Sequence, residues 1–174
     1  MKMAEQERDP LLIAPCGMDC MVCYRHCACK KPCEGCRSSG QNKPGHCRKC
    51  EIKNCAAEKG LVYCAECPGY PCRKLENLEK LYTRRYGISL MEQGRFVRAC
   101  GEAAFLDRER KRYACPACGG VVSLHDAQCS ECGLGWKLPE CWALPAKCGT
   151  VRMVGRWEGS AANSASEKMI QKHL

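Results

Sequence analysis

The chain has 174 residues, 20 of them cysteine and only two phenylalanine, with a formal charge of +9. So few large apolar residues exclude one large apolar core and call for cross-links or metal to hold the fold. The charge points to nucleic acid at first sight, but it counts every cysteine as neutral. A zinc ion on four thiolates contributes −4 + 2 = −2, and four such sites would bring +9 down to about +1.

Residues 1–10, MKMAEQERDP, are charged and read as a flexible lead. Leu11-Leu12-Ile13-Ala14 is too short for the core of a signal peptide. No stretch approaches the ~18–20 apolar residues of a membrane span. A cytoplasmic, reducing setting without membrane attachment is expected, in which paired cysteines hold metal rather than form disulfides.

Residues 11–72 read as a cysteine-rich metal-binding domain, with thirteen cysteines between positions 16 and 72. Four Cys-x-x-Cys pairs lie here: Cys20/Cys23, Cys33/Cys36, Cys47/Cys50 and Cys64/Cys67. A two-residue spacer lets both sulfurs of one tight turn face a single ion. Pairing in chain order puts Cys20/Cys23 with Cys33/Cys36, and Cys47/Cys50 with Cys64/Cys67. Cys16, Cys55 and Cys72 are then left for a third site, with Cys27, Cys29 or His46. The repeat of Cys-x2-Cys-x4-Cys at positions 47–55 and 64–72 suggests an interleaved alternative, Cys50, Cys55, Cys64 and Cys72. On one helix, positions 16, 20, 23 and 27 would share a face, with the outer pair about 16 Å apart. That stripe must be divided among sites or broken by a turn. Cys16-x3-Cys20-x2-Cys23 has the spacing of radical SAM enzymes, but a (β/α) barrel needs roughly 200 residues; 151 remain, without βα alternation. Ala56–Lys59 with Gly60 behind them predicts a short helix and its C-cap.

Residues 73–113 read as a helical region packing on that domain. Leu75, Leu78 and Leu81 recur at three-residue steps beside Tyr82, and Glu76/Lys80 are spaced as an i,i+4 pair. Gly87 is a stop, Ser89-x-x-Glu92 opens a second helix with a capping box, and Gly101 interrupts or ends it. The segment that follows is apolar first and charged later, and its basic run Arg108, Arg110, Lys111 and Arg112 reads as a solvated face. Residues 73–112 carry eleven Lys/Arg against six Asp/Glu, so this stretch stays basic whatever the metals do.

Residues 114–133 have the pattern of a zinc ribbon: Cys115-PA-Cys118 and Cys129-SE-Cys132, each followed by glycine, with ten residues between the two pairs. Glycine after each pair permits the positive φ that turns backbone N–H groups toward the sulfurs. Val121 and Val122 open a strand, turn and strand, and His125 reads as a surface turn residue. Residues 134–174 form a tail of uncertain structure with Cys141 and Cys148.

The whole reads as a small metal-stabilised α+β protein. Three functions fit it. The first is a non-enzymatic zinc-binding interaction module with three or four Zn²⁺, meeting a protein partner or nucleic acid through its basic helices. The second is an iron–sulfur protein for electron transfer or cluster handling, although the Cys-x2-Cys-x2-Cys-x3-Cys run is absent. The third is a metalloenzyme with an open position on Cys16, Cys55 and Cys72. No HExxH, phosphate loop or ordered Ser/His/Asp set supports catalysis, and no catalytic residue is assigned.

The text APCGMDCMVC, then CEGC, CEIKNCAAEKG and CAECPGYPC followed by RKLENL, resembles the cysteine-rich family called domain of unknown function 3795. The run from Tyr86 to Gly120 is similar to the helical region and ribbon of longer members, so the resemblance spans about residues 12–133. It implies ligands at Cys16, Cys20, Cys23, Cys33, Cys36, Cys50, Cys55, Cys64, Cys67 and Cys72, with Cys27, Cys29 and Cys47 less regular. That lends weight to the interleaved pairing and implies no particular activity.

Overall fold

The computed structural model describes residues 9–40 and 42–135, together with Met3. Cys141 and Cys148 lie outside the described residues. Among the described residues there are six α-helices, then one two-stranded sheet late in the chain.

The cysteine-rich half is built from short turns. Asp9 caps a 3-10 turn at Pro10–Leu12 by accepting the Leu11 N–H. Asp19 does the same for the turn Cys20–Val22, its buried carboxylate accepting the Met21 N–H at 2.9 Å. Cys23 then occupies the position before α1, Tyr24–Cys27, without a side-chain cap. The stripe of positions 16, 20, 23 and 27 is therefore broken by turns, as one-ion reach requires. Helix α2 spans Gly45–Arg48 and α3 spans Glu51–Glu58. The helix expected at Ala56–Lys59 thus begins five residues earlier, with Glu51 in its first turn, where the helix dipole favours a carboxylate.

Helix α4, Arg73–Tyr86, stops at Gly87 in the left-handed conformation. Its inward stripe is Leu75, Leu78, Tyr82 and Tyr86, whereas Leu81 is exposed. The 3.6-residue period carries the buried face past the three-residue steps of the leucines. Helix α5, Leu90–Cys100, is capped by Ser89, which accepts the Glu92 N–H at 3.0 Å. The carboxylate at this cap comes from Glu79 of α4, which accepts the Ser89 hydroxyl and the Met91 N–H. Gly101 ends α5 and precedes α6, Glu102–Tyr113.

Strands β1, Val122–Ser123, and β2, Gln128–Cys129, pair antiparallel with Val122 opposite Cys129. The hairpin does not stand alone. Val121, Val122 and Leu124 share one apolar cluster with Leu12, Met21, Val22 and Leu90, and Leu124 donates its N–H to the Val22 carbonyl at 2.8 Å. Met3 is buried in the same cluster and donates to the Gly119 carbonyl. A second cluster joins Ile13 and Tyr63 to Val97, Phe105 and Leu106.

Two sequence expectations are corrected here. The basic run of α6 is not a solvated face: Arg112 and Glu109 are buried, and Arg108 pairs with Glu109 at 3.0 Å while its guanidinium lies 3.9 Å from the Phe96 ring centre. Arg110 turns to the Met3 carbonyl, which leaves Lys111 exposed. His125 does sit in the hairpin turn, yet its ring is enclosed by the edges of Tyr24, Tyr82 and Tyr86, with the Tyr82 hydroxyl 3.2 Å from Nε2. Burial pushes its pKa below the usual imidazole value. No helix among the described residues is long and apolar enough to cross a membrane.

Candidate metal centre

Cys115, Cys118, Cys129 and Cys132 present four sulfurs that all lie within 4.8 Å of one another. Cys115 and Cys132 are 3.7 Å apart, Cys118 and Cys129 3.5 Å. Two matching loops hold them. In the first, the Gly119 N–H donates to the Cys115 carbonyl at 2.8 Å; in the second, the Gly133 N–H donates to the Cys129 carbonyl at 3.1 Å. Both glycines have φ near 70°, which a Cβ would disfavour. The Glu131 N–H points at the Cys129 sulfur at 3.4 Å. A backbone hydrogen bond at Gly120 leads in lowering the Cys118 thiol to about 7, aided by its contacts with Cys132, Cys129 and Cys115. Against the backbone hydrogen bond at Leu134, contacts with Cys118, Cys129 and Cys115, together with desolvation, raise Cys132 to about 11. The thiolate that a metal needs from cysteine is therefore offered near neutral pH at Cys118. These four residues can hold a metal ion.

The remaining expected ligands fall into two neighbourhoods. In the first, the Cys36 N–H donates to the Cys20 sulfur at 3.3 Å. The thiol–thiol contact of the same two residues raises the Cys20 thiol, with burial adding to it, and lowers that of Cys36, while the backbone N–H works the other way on Cys20. Buried Lys43 holds this loop by donating to the Cys36 and Ser38 carbonyls, and its charge favours the Cys36 thiolate. Burial raises Cys23 to about 11, and the nearby thiols of Cys47, Cys36 and Cys33 add to it. Burial does the same to Cys47, with Cys36, Cys33 and Cys50 as its thiol neighbours. Cys20 and Cys36 are thus in direct contact, and Cys23 and Cys47 lie close enough to feel the charge of Cys33 and Cys36. Half-buried Cys16 has Cys36, Cys64 and Cys50 as its thiol neighbours.

The second neighbourhood is a pocket of about 350 Å³ beside α3 and the start of α4, lined by Cys55, Cys64, Cys67 and Cys72. Cys64 opens a 3-10 turn, Cys64–Glu66, and the Cys67 N–H donates to the Cys64 carbonyl at 3.0 Å, putting both at one turn. Cys72 caps α4. Burial raises Cys64 to about 11, followed by its neighbours Cys72, Cys55, Cys67 and Cys50. Lys59 donates to the Cys67 sulfur at 3.7 Å. Nothing in the sequence singles out Lys43 or Lys59, since lysine is common along the chain and only the fold puts these two on the thiol loops.

Among the described residues every cysteine is a free thiol. Residues 12–77 match the family model described as Protein of unknown function (DUF3795). The match takes in every cysteine from Cys16 to Cys72 and ends inside α4, short of the hairpin that the sequence resemblance included. No curated protein and no solved structure matches the chain.

Proposed function

We propose that this chain, whose residues 12–77 belong to that family, is a zinc-folded binding module without chemistry of its own. The observation that carries the reading is the closing of four hairpin sulfurs to within 4.8 Å of one another, with two pairs at 3.5 and 3.7 Å. Four sulfurs each about 2.3 Å from one tetrahedral zinc stand about 3.8 Å apart. The hairpin is then a zinc ribbon, and the fold is a metal-stabilised α+β architecture. The 3.3 Å contact of the Cys36 N–H with the Cys20 sulfur supports a further metal site in the family domain, whose sulfurs, among the described residues, do not close on one another as those of the hairpin do.

The partner surface is the exposed basic side of α4 and α5, with Arg84, Arg85 and Arg95. Tyr82 and Tyr86 face the core and His125, and Phe96 is covered by Arg108. No aromatic platform for stacking bases is left among them, which favours an acidic protein surface over a nucleic acid. A second reading, an iron–sulfur protein, is favoured by one observation: the four thiols of the 55–72 pocket stand round an open space. The enzyme reading has less support, because the thiol neighbours of Cys16 are Cys36, Cys64 and Cys50 rather than Cys55 and Cys72.

The test is metal content by mass spectrometry of the native protein, purified under reducing conditions. Zinc at one or more ions per chain, lost with the fold under strong chelation, supports the module. A chain that keeps its NMR dispersion after verified metal removal refutes it.

A further inference from the structure

We infer that the pocket lined by Cys55, Cys64, Cys67 and Cys72 is a [4Fe–4S] cluster site, distinct in cofactor from the hairpin. The inference does not rest on the zinc reading, because it uses none of the hairpin residues.

The contrast between the two sets of four thiols carries the argument. In the hairpin the sulfurs close to within 4.8 Å of one another, so one ion fills the space between them. Among the described residues the pocket thiols are not drawn into such a group. They line about 350 Å³ of open volume instead. A single ion about 2.3 Å from each of its sulfurs leaves no such room. A cubane cluster does occupy room, because its own iron and sulfide atoms stand between the four cysteine sulfurs.

The wall of the pocket suits the same group. Ile52, Leu61, Tyr70 and Leu75 supply an apolar lining, the shell that limits water at a cluster. Four thiolates on a cubane leave a net negative charge, and positive groups meet it from several sides. Lys59 donates to the Cys67 sulfur at 3.7 Å. Lys74, paired with Glu51 at 3.1 Å, lines the pocket itself. Cys72 itself stands at the N-terminus of the 14-residue α4, where the helix dipole favours an anion. Tyr70 also anchors the loop between Cys67 and Cys72, its hydroxyl donating to the Met91 carbonyl at 3.0 Å. The Cys67–Cys72 segment is thereby tied to α5.

The experiment is iron, acid-labile sulfide and zinc analysis of the full chain purified without oxygen, beside Cys67→Ser and Cys118→Ser. The expected wild-type protein is brown, with about four iron and four sulfide per chain. Cys67→Ser loses colour, iron and sulfide and keeps the hairpin ion; Cys118→Ser keeps the colour and loses that ion. A colourless wild-type chain without iron or sulfide overturns the proposal, whatever the variants do. So does iron that survives Cys67→Ser, or zinc that Cys67→Ser removes in place of iron. Loss of the hairpin's zinc reading alone, with the cluster intact, would refute the module and leave this site standing.

Discussion

Gly17 rests directly on the backbone of α5 at Gly94. A Cβ at position 17 would stand 2.4 Å from the Leu90 carbonyl oxygen and 2.8 Å from the Gly94 nitrogen. Its φ of +97° is also one that L side chains rarely adopt. This contact lets the turn between Cys16 and Cys20 lie flat on the helix, and so ties the family domain to the helical region.

Gly17→Ala is therefore expected to lower the unfolding free energy by at least ~2 kcal/mol, from strain and overlap together. Gly87→Ala is the control. Its φ is +65°, but a Cβ there meets nothing within 4 Å, so the cost is about 1 kcal/mol. Urea unfolding of the metal-loaded variants measures both. Equal losses would show that the approach of Gly17 to α5 is not tight.

Cys118→Ser should remove about one metal ion per chain, because the hairpin holds a complete ligand set. It should also weaken the rest of the molecule, since Val121, Val122 and Leu124 belong to the cluster that holds Leu12 and Met21. The denaturation midpoint of the whole chain should drop as a single transition. A hairpin that melts separately while the remainder keeps its wild-type midpoint would contradict the shared core.

The grouping of the hairpin's four thiols could be read from sequence because each loop closes within a few residues. Cys-x-x-Cys followed by glycine is enough to specify it, and both glycines have the positive φ expected. The end of α4 at Gly87 and the Ser89 cap are local for the same reason. The Glu79 carboxylate at that cap was not legible, since α4 must first fold back beside α5. Arg108, Glu109 and Arg112 show the limit more sharply. Their composition is that of a solvated face, and only the approach of Asp19, Gln93 and Phe96 buries them. Which cysteines of 16–72 become neighbours depends likewise on turns that meet across sixteen residues, as Cys20 and Cys36 do.

The buried ion pair gives a pH prediction. Burial raises the Glu109 carboxyl and lowers the Arg108 guanidinium, so the 3.0 Å contact does not fully offset desolvation. A carboxyl raised in the folded state takes up a proton on folding between its unfolded and folded values. The native chain therefore loses stability as pH climbs through that window, above the usual ~4.3 of Glu. Glu109→Gln lacks this contribution. The stability of the variant minus that of wild type should rise as pH increases from about 5 to about 8. Taking the difference cancels the opposite trend from the metal-binding thiols. A flat difference would mean that Glu109 is ionised throughout and fully paired.

The last prediction concerns the basic surface. With most of the basic run of α6 turned inward, the exposed positive charge on the helices includes Arg84, Arg85, Arg95 and Arg98 beside Arg73, Lys74, Lys80 and Lys111, and Arg98 already donates to the Ala65 carbonyl at 2.8 Å. If metal-bound thiolates cancel most of the formal +9, affinity for a generic duplex should be modest and should come from Arg84, Arg85, Arg95 and Arg98. Replacing all four with Gln should abolish it at low salt. In the wild type, four phosphate contacts would give a slope of log affinity against log salt no steeper than about −4. An acidic protein partner should lose binding on the same four changes. Tight duplex binding that survives both the substitutions and physiological salt would mean that the metal-bearing loops contact nucleic acid themselves. The acidic-protein reading would then fall, because the surface assigned to it would carry none of the affinity.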